Sequence, residues 1–155
     1  MRTIKLTSKQ LTTVINNINN DKELIKRINK TSYTSVESFI ENALRYLNAI
    51  KDGRMSCFIE SVSRSGMSRN IKFIAYEVYK KNKNNEHTGY YGNFYTLFTH
   101  LGFTPVKNDS CFKIYGCGMD MVFHTNYTIV HKLARLGFID KQMCEVLAQK
   151  TPVKF

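Results

Sequence analysis

The first 30 residues place apolar side chains at the spacing of an α-helix. Thr7 and Gln10 have the separation of a capping box, in which each side chain accepts the other residue's backbone N–H. Apolar positions then recur three and four residues apart at Leu11, Val14, Ile15, Ile18, Leu24, Ile25 and Ile28. This pattern predicts one helix to about Asn29, with Asn20 and Asp21 as the place where it would break.

A second helix is predicted directly after the first. Thr34 and Glu37 again have capping-box spacing, and Gly53 supplies a stop signal. Between them runs an apolar stripe at helical spacing, made of Val36, Phe39, Ile40, Ala43, Leu44, Leu47 and Ile50. This is the clearest local pattern in the sequence, and it predicts a helix that packs against a core.

Strand-like sequence follows. Residues 57–63 and 71–79 are rich in Phe, Ile, Val and Tyr, and a polar, glycine-centred segment at 64–69 joins them. This arrangement predicts a β-hairpin. Residues 80–92 are polar and contain several lysines, which is typical of a loop.

The rest of the sequence predicts three helices and a strand. They are a short helix over 94–101 capped by Asn93 and closed by Gly102, a strand over 111–115, a helix over 119–136, and a last helix over 141–150 capped by Asp140. On the 119–136 helix, the predicted buried face is Val122, Phe123, Tyr127, Val130, Leu133 and Ala134. We also expect Phe94 and Phe98 in the core, and a cluster of Tyr90, Tyr91 and Tyr95 beside the basic loop, where such rings can stack unpaired bases.

The order of elements is α-α-β-β-α-β-α-α. It predicts an α+β fold: a small mixed or antiparallel sheet with a basic hairpin, covered by N-terminal and C-terminal helices. The 155 residues suit a single domain over 1–155, with the two N-terminal helices in 1–53 and the remaining elements in 54–155.

Charge narrows the class of partner. The chain has 23 Lys and Arg against 12 Asp and Glu, a formal charge of +11 spread along its length. Such a charge attracts polyanions. Proteins that mimic DNA are acidic, so we do not expect this basic chain to be a DNA mimic. From this attraction we expect nucleic acid or a host nucleoprotein as partner. The alternative explanation is that the charge only keeps the protein soluble.

Other features of the composition set further expectations. No signal peptide or membrane-length apolar run is visible, so we expect a cytoplasmic protein of a bacterial host cell that does not bind membranes. The four cysteines have no C-x-x-C spacing, so we expect buried thiols without disulfides, no structural metal and no cofactor.

The strongest candidate site is the basic hairpin. Its connection offers Arg64, Ser65, Ser68 and Arg69, and Lys72 follows on the next strand. Guanidinium forks and hydroxyls bind phosphates, so this segment, together with the neighbouring lysines Lys80, Lys81 and Lys83, predicts a nucleic-acid-binding surface. The alternative is an ordinary solvated turn.

A second candidate site lies around Gly116–Met121, predicted as a strand, a tight turn and a helix start. Cys117 near a helix N-terminus would be an activated thiol, and Asp120 and His124 lie nearby in sequence. His124 is about two helical turns from Cys117, too far for a nucleophile–base pair on one helix. The turn could also bind an anion at the helix N-terminus, but a lone G-x-G is a weak signal and Asp120 already complements the helix dipole. We therefore prefer a structural role for Gly116 and Gly118, with Asp120 as a helix cap. A small Cys/Asp/His enzyme is an alternative.

The motifs RSGMSR at 64–69 and GCGMDM at 116–121 together resemble a pair in short uncharacterised proteins of bacteriophages and mobile elements. The resemblance covers about residues 55–131. It implies a phage or mobile-element origin, and small proteins of that origin often antagonise host defence, including CRISPR effectors. The leading hypothesis is therefore a non-enzymatic accessory protein that binds nucleic acid or a host nucleoprotein. A protein-binding inhibitor of a host defence enzyme, without nucleic-acid contact, is the alternative.

Overall fold

The computed structural model describes residues 2–61, 70–81, 83–84, 87–107, 110–115, 119–150 and 153–154. The backbone alone is described for residues 60, 61, 70, 71, 79–81, 87–91, 115, 119, 120, 153 and 154. The helices are α1 Ser8–Asn20, α2 Lys22–Ile28, α3 Val36–Lys51, α4 Tyr95–His100, α5 Met119–Arg135 and α6 Lys141–Ala148. The strands are β1 Met55–Ser61, β2 Asn70–Lys81, β3 His87–Asn93, β4 Phe112–Tyr115 and β5 Val153–Lys154. The predicted α+β class is confirmed.

The N-terminal helix begins and breaks where the sequence predicts. Both bonds of the Thr7–Gln10 capping box are present, at 3.2 and 2.9 Å. Asp21 has an extended backbone, with φ −91° and ψ 96°, and it separates α1 from α2. Its carboxylate accepts the N–H of Leu24 at 3.1 Å, so the same residue ends one helix and caps the next.

The cap of α3 differs from the predicted one. Ser35 and Ser38, rather than Thr34 and Glu37, exchange the two capping-box bonds, at 3.1 and 2.8 Å. The Thr34 hydroxyl instead donates to the carbonyl of Ile28, at the end of α2. Because Thr34 closes the turn between the two helices, the capping position moves one residue along the chain. The end of α3 is as predicted, since Gly53 has φ +69°.

The predicted hairpin is confirmed. β1 and β2 pair antiparallel from Met55 opposite Glu77 to Ser61 opposite Ile71. The other edge of β2 pairs with β4 along its first half and with β3 along its second half. β5 joins the free edge of β1 in parallel, which makes the sheet a mixed one.

The prediction of a loop over 80–92 was wrong. β2 continues to Lys81, and His87–Asn93 forms β3 beside it. The two strands pair antiparallel from Tyr76 opposite Asn93 to Lys81 opposite His87, and the register shifts between Glu77 and Lys81. A polar, glycine-containing edge strand lacks the alternating pattern by which strands are recognised in a sequence.

The C-terminal helices begin and end close to the predicted positions. Asp140 caps α6 by accepting the N–H of Met143 at 2.8 Å. Asn93 accepts the N–H of Tyr95 at 3.2 Å, just before α4. Gly102 and Gly137, which follow α4 and α5, both have φ +98°.

One core packs the helices against a single face of the sheet. The sheet contributes alternate residues, among them Phe73 and Ala75 of β2, and the expected Phe94 and Phe98 are buried there. The rings of Tyr46 and Phe94 meet edge to face, with centroids 5.0 Å apart. The side chains of Lys72 and Ile74 therefore belong to the opposite face of β2, away from the helices.

Candidate nucleic-acid interface

Part of the predicted basic site can be located. Arg64, Ser65, Ser68 and Arg69 lie outside the described residues. The backbones of Lys80 and Lys81 belong to the end of β2, and Lys83 is exposed in the turn that follows.

Lys72 lies half-buried on the sheet face that points away from the helices. Its direct partner across β2 and β4 is Lys113, which is exposed. Direct antiparallel partners point to the same side of a sheet, so the fold brings two lysines together that are 41 positions apart in sequence. Phe58, which is 44% exposed, lies on this face opposite Ile74. The sequence did not predict a role for Lys113 or Phe58.

The second predicted site is located only in part. Cys117 lies outside the described residues, and Asp120 is described by its backbone in the first turn of α5. His124 is exposed, with its ring 5.8 Å from the ring of Phe123. These positions do not test an enzymatic role.

The remaining cysteines fit the predicted packing role, since Cys57, Cys111 and Cys144 are buried. Burial, followed by the nearby Glu145 carboxylate, raises the pKa of the Cys144 thiol. Among the described residues, no group of three or more His, Cys, Asp or Glu side chains is placed to hold a metal ion.

The orientation of α5 is the main surprise. Its buried side chains include Val122, Thr125, Asn126, Ile129, Val130 and Leu133. Tyr127, which was predicted to be in the core, is 41% exposed, and Phe123 is half-buried. The prediction is confirmed for Val122, Val130 and Leu133. It is wrong for Tyr127, because two polar residues, Thr125 and Asn126, occupy part of the buried face.

As a result, α5 presents a stripe of planar side chains to the surface: Phe123, Tyr127 and His131, at successive four-residue intervals. The ring centroids of Tyr127 and His131 are 4.1 Å apart, with 30° between the planes. Those of Phe123 and Tyr127 are 6.5 Å apart. His131 Nδ1 lies 2.9 Å from the Tyr127 carbonyl oxygen, so that nitrogen carries the proton and the imidazole is held in place. Arg135 continues the same four-residue series.

Arg135 also borders a cavity of about 170 Å³ between α2, α5 and the end of α4. Three cationic side chains line it: Arg27, Lys132 and Arg135. The other lining residues are Asp21, Leu24, Leu101 and Leu136. We call this space the cationic cavity.

Two of the three cations are held by carbonyls at the end of α4. Arg27 Nε donates to His100 O at 2.6 Å, and Lys132 Nζ donates to Leu101 O at 2.8 Å. Desolvation by burial lowers the pKa of Lys132, and the positive charges of Arg27 and Arg135 lower it further, against an opposing effect of Asp21. The cavity therefore concentrates positive charge that Asp21, in its lining, and Glu23, 3.9 Å from Arg27 Nη1, do not fully balance.

Other charged side chains are used inside the fold. Glu77 is buried and forms ion pairs with Arg54 and, at 3.4 Å, with Arg45. Arg45 also lies over the ring of Phe94, 4.8 Å from its centroid, and donates to Asn93 O. These groups join α3 to the sheet, so they are not part of the candidate interface.

Comparison with models of protein families, with curated proteins and with solved structures finds no match. Of the helices within the described residues, none has the length and apolar character that crossing a bilayer requires.

Proposed function

We propose that this protein is a non-enzymatic nucleic-acid-binding protein that takes up single-stranded DNA or RNA along α5. The observation that carries the proposal is the stripe of the exposed Tyr127 and the half-buried Phe123 and His131, which leads through Arg135 to the cationic cavity. Proteins that bind single strands combine aromatic platforms for the bases with positive charge for the backbone. The stripe would supply the aromatic platform, and the cavity would supply the positive charge.

The dimensions of the stripe suit a strand with unstacked bases. The Tyr127 and His131 rings, with centroids 4.1 Å apart, are too close to admit a base between them, so they would act as one platform. The Phe123 ring, 6.5 Å from Tyr127, would supply a second one. Duplex bases offer no face for such contacts, so we expect single strands to bind more tightly than duplexes. The net charge of +11 adds a sequence-independent attraction.

The biological setting of the proposal comes from the resemblance to phage and mobile-element proteins. A basic protein of that kind can bind the nucleic acid of a host nucleoprotein, including one of a CRISPR system. Its partner would then be the strand itself or a nucleoprotein that exposes one. Lys72 and Lys113 lie on the sheet face that points away from the helices, so they are proposed as a second basic patch. Arg64 and Arg69 stay predicted phosphate contacts.

The stripe is tested by removing one ring. Tyr127→Ala is expected to weaken binding of a 15-nucleotide single strand by roughly 5- to 150-fold, because stacking contributes about 1–3 kcal/mol per base. Tyr33→Ala is the matched control, since Tyr33 is 82% exposed in the turn before α3. Fluorescence anisotropy with labelled strands of unrelated sequences measures both variants.

Equal affinities of Tyr127→Ala and the wild type would remove the stripe from the interface. No binding by the folded wild type at low salt would reject the proposal and favour a protein-binding inhibitor.

A further inference from the structure

The cationic cavity has the size of a small charged group. Its volume of about 170 Å³ corresponds to the space of roughly five or six water molecules, at about 30 Å³ each. Pockets that bury a whole drug-sized ligand are larger, at about 300–1,000 Å³. The cavity can therefore take up a phosphate group, while an attached nucleoside would remain outside, beside α5.

The cations are held in place before any ligand arrives. The Arg27 guanidinium is fixed by its bond to His100 O and lies against Gly102, where a β-carbon would be 3.5 Å from Nη2. Lys132 is fixed by Leu101 O and lies 5.6 Å from the centroid of the Phe103 ring. These contacts leave further N–H donors on both side chains. Because the side chains are already ordered, binding a ligand costs little of their conformational entropy.

The third cation, Arg135, is the most exposed of the three. Within the part of the chain that the structure describes, Arg135 makes no hydrogen bond or ion pair, although it lines the cavity. Among the described lining residues, Asp21 supplies the one carboxylate, and it already accepts the N–H of Leu24. Glu23, outside the lining, lies 3.9 Å from Arg27 Nη1 and offsets part of its charge, so the cavity keeps a smaller net positive charge.

We propose that the cationic cavity is a binding site for a dianionic phosphate group, held by Arg27, Lys132 and Arg135. The net positive charge of the cavity attracts an anion, and guanidinium groups bind phosphate oxygens in a bidentate manner. The phosphate belongs either to the end of a nucleic-acid strand or to a small phosphate compound. Only the first of these two sources rests on the proposed function, because that strand would continue along the α5 stripe.

The site is tested first with inorganic phosphate alone. We expect phosphate, added at constant ionic strength against chloride, to raise the melting temperature and to give a saturable chemical-shift change in NMR at the amides of α2 and the end of α5. Arg135→Gln is expected to weaken phosphate binding roughly tenfold or more, because bonds to charged groups are strong. Arg135→Lys, which keeps the charge, is expected to recover part of the affinity.

Lys9→Gln is the charge-matched control. Lys9 is exposed in the first turn of α1, about eleven residues and roughly 17 Å along the helix from its end near Asp21. This variant loses the same charge as Arg135→Gln and is expected to bind phosphate like the wild type. An equal loss of phosphate affinity in both variants would mean that phosphate binding depends on net charge alone. This result would overturn the proposed site.

The source of the phosphate is tested with three strands of one sequence, carrying a 5′-phosphate, a 3′-phosphate or hydroxyl groups at both ends. A strand-end site predicts tighter binding of one phosphorylated strand, and loss of that preference in Arg135→Gln. Equal binding of all three strands, with phosphate still bound, assigns the site to a small phosphate compound. If phosphate does not bind while the strands do, the inference fails and the proposed function stands. If phosphate binds and no strand does, the inference stands and the proposed function fails.

Discussion

At the scale of single residues, the buried pair of Tyr46 and Asn126 joins α3 to α5. The Tyr46 hydroxyl donates to Asn126 Oδ1, and both side chains are excluded from water. Burial raises the pKa of Tyr46, so the phenol stays neutral. Because Asn126 turns a polar group inward, this pair fixes which face of α5 is buried, and so which face carries the stripe.

Tyr46→Phe is expected to destabilise the protein by about 1–3 kcal/mol, because it leaves a buried amide oxygen without its donor. Urea unfolding measures the change, with Tyr33→Phe as an exposed control that should have no effect. The double variant Tyr46→Phe with Asn126→Leu should be more stable than Tyr46→Phe alone, because both polar partners are removed. If Asn126→Leu lowers the free energy of unfolding of Tyr46→Phe still further, loss of the Tyr46–Asn126 hydrogen bond is not the reason for the destabilisation.

His100 gives the protein a pH-dependent stability. It is buried beside Phe39, with ring centroids 6.0 Å apart. Desolvation, followed by the positive charge of Arg27, lowers its pKa below the usual 6.5. Between that lowered pKa and 6.5 the unfolded chain binds the proton more readily than the folded chain, so folding stability falls as the pH falls.

We therefore expect the free energy of unfolding to decrease as the pH is lowered from 7 towards 5, by at most about 1.4 kcal/mol per pH unit from this group. His100→Gln should show a smaller decrease over the same range, whatever its stability at pH 7. His124→Gln, at an exposed position on α5, is the control. The same slope in the wild type and His100→Gln would contradict the assignment.

At the scale of elements, the turn after α5 depends on Gly137. Its φ of +98° is a conformation that other residues rarely adopt, although a β-carbon there would meet Val14 at an ordinary distance of 3.5 Å. Gly137→Ala is therefore expected to cost about 1–2 kcal/mol through backbone strain alone. Gly92→Ala is the matched control, because Gly92 has open space around it and no positive φ. Thermal unfolding that ranks the two variants equally would contradict this account.

The elements with strong local signals could be predicted from the sequence. A few neighbouring residues are enough to predict the Thr7–Gln10 capping box, the apolar stripe of α3 and the apolar strands of the hairpin. β3 could not be predicted in this way, since its pairing with β2 is a tertiary event between polar segments. The exposure of Tyr127 was missed for a related reason: helical spacing shows that residues share a face, but a buried Asn126 decided which face packs.

At the scale of the whole molecule, the candidate site is assembled from distant parts of the chain. Arg27 comes from α2, whereas Lys132 and Arg135 come from α5, and the carbonyls that hold two of them belong to the end of α4. No sequence motif links these residues. The net charge predicted a polyanionic partner, but only the packing of three helices could place the charges around one cavity.

The arginines at 64 and 69 remain a prediction, because they lie outside the described residues. If they hold a phosphate backbone, Arg64→Ala with Arg69→Ala should flatten the slope of log affinity against log salt by one to two units, at about 0.7–0.9 for each lost contact. The loss should be similar for all sequences, and folding stability should change little. A wild-type slope in the folded double variant would restrict the interface to other basic residues.

The central claim, binding of single-stranded nucleic acid, is tested most directly by a salt titration of the wild type. Fluorescence anisotropy is measured with 15-nucleotide single strands of unrelated sequences, and with the matching duplexes, from 50 to 300 mM salt. We expect similar affinities among single strands, weaker binding of duplexes, and a log–log slope of about −2 or steeper, which corresponds to three or more neutralised phosphates at about 0.7 each. No binding at the lowest salt, or a preference for duplexes, would contradict the claim.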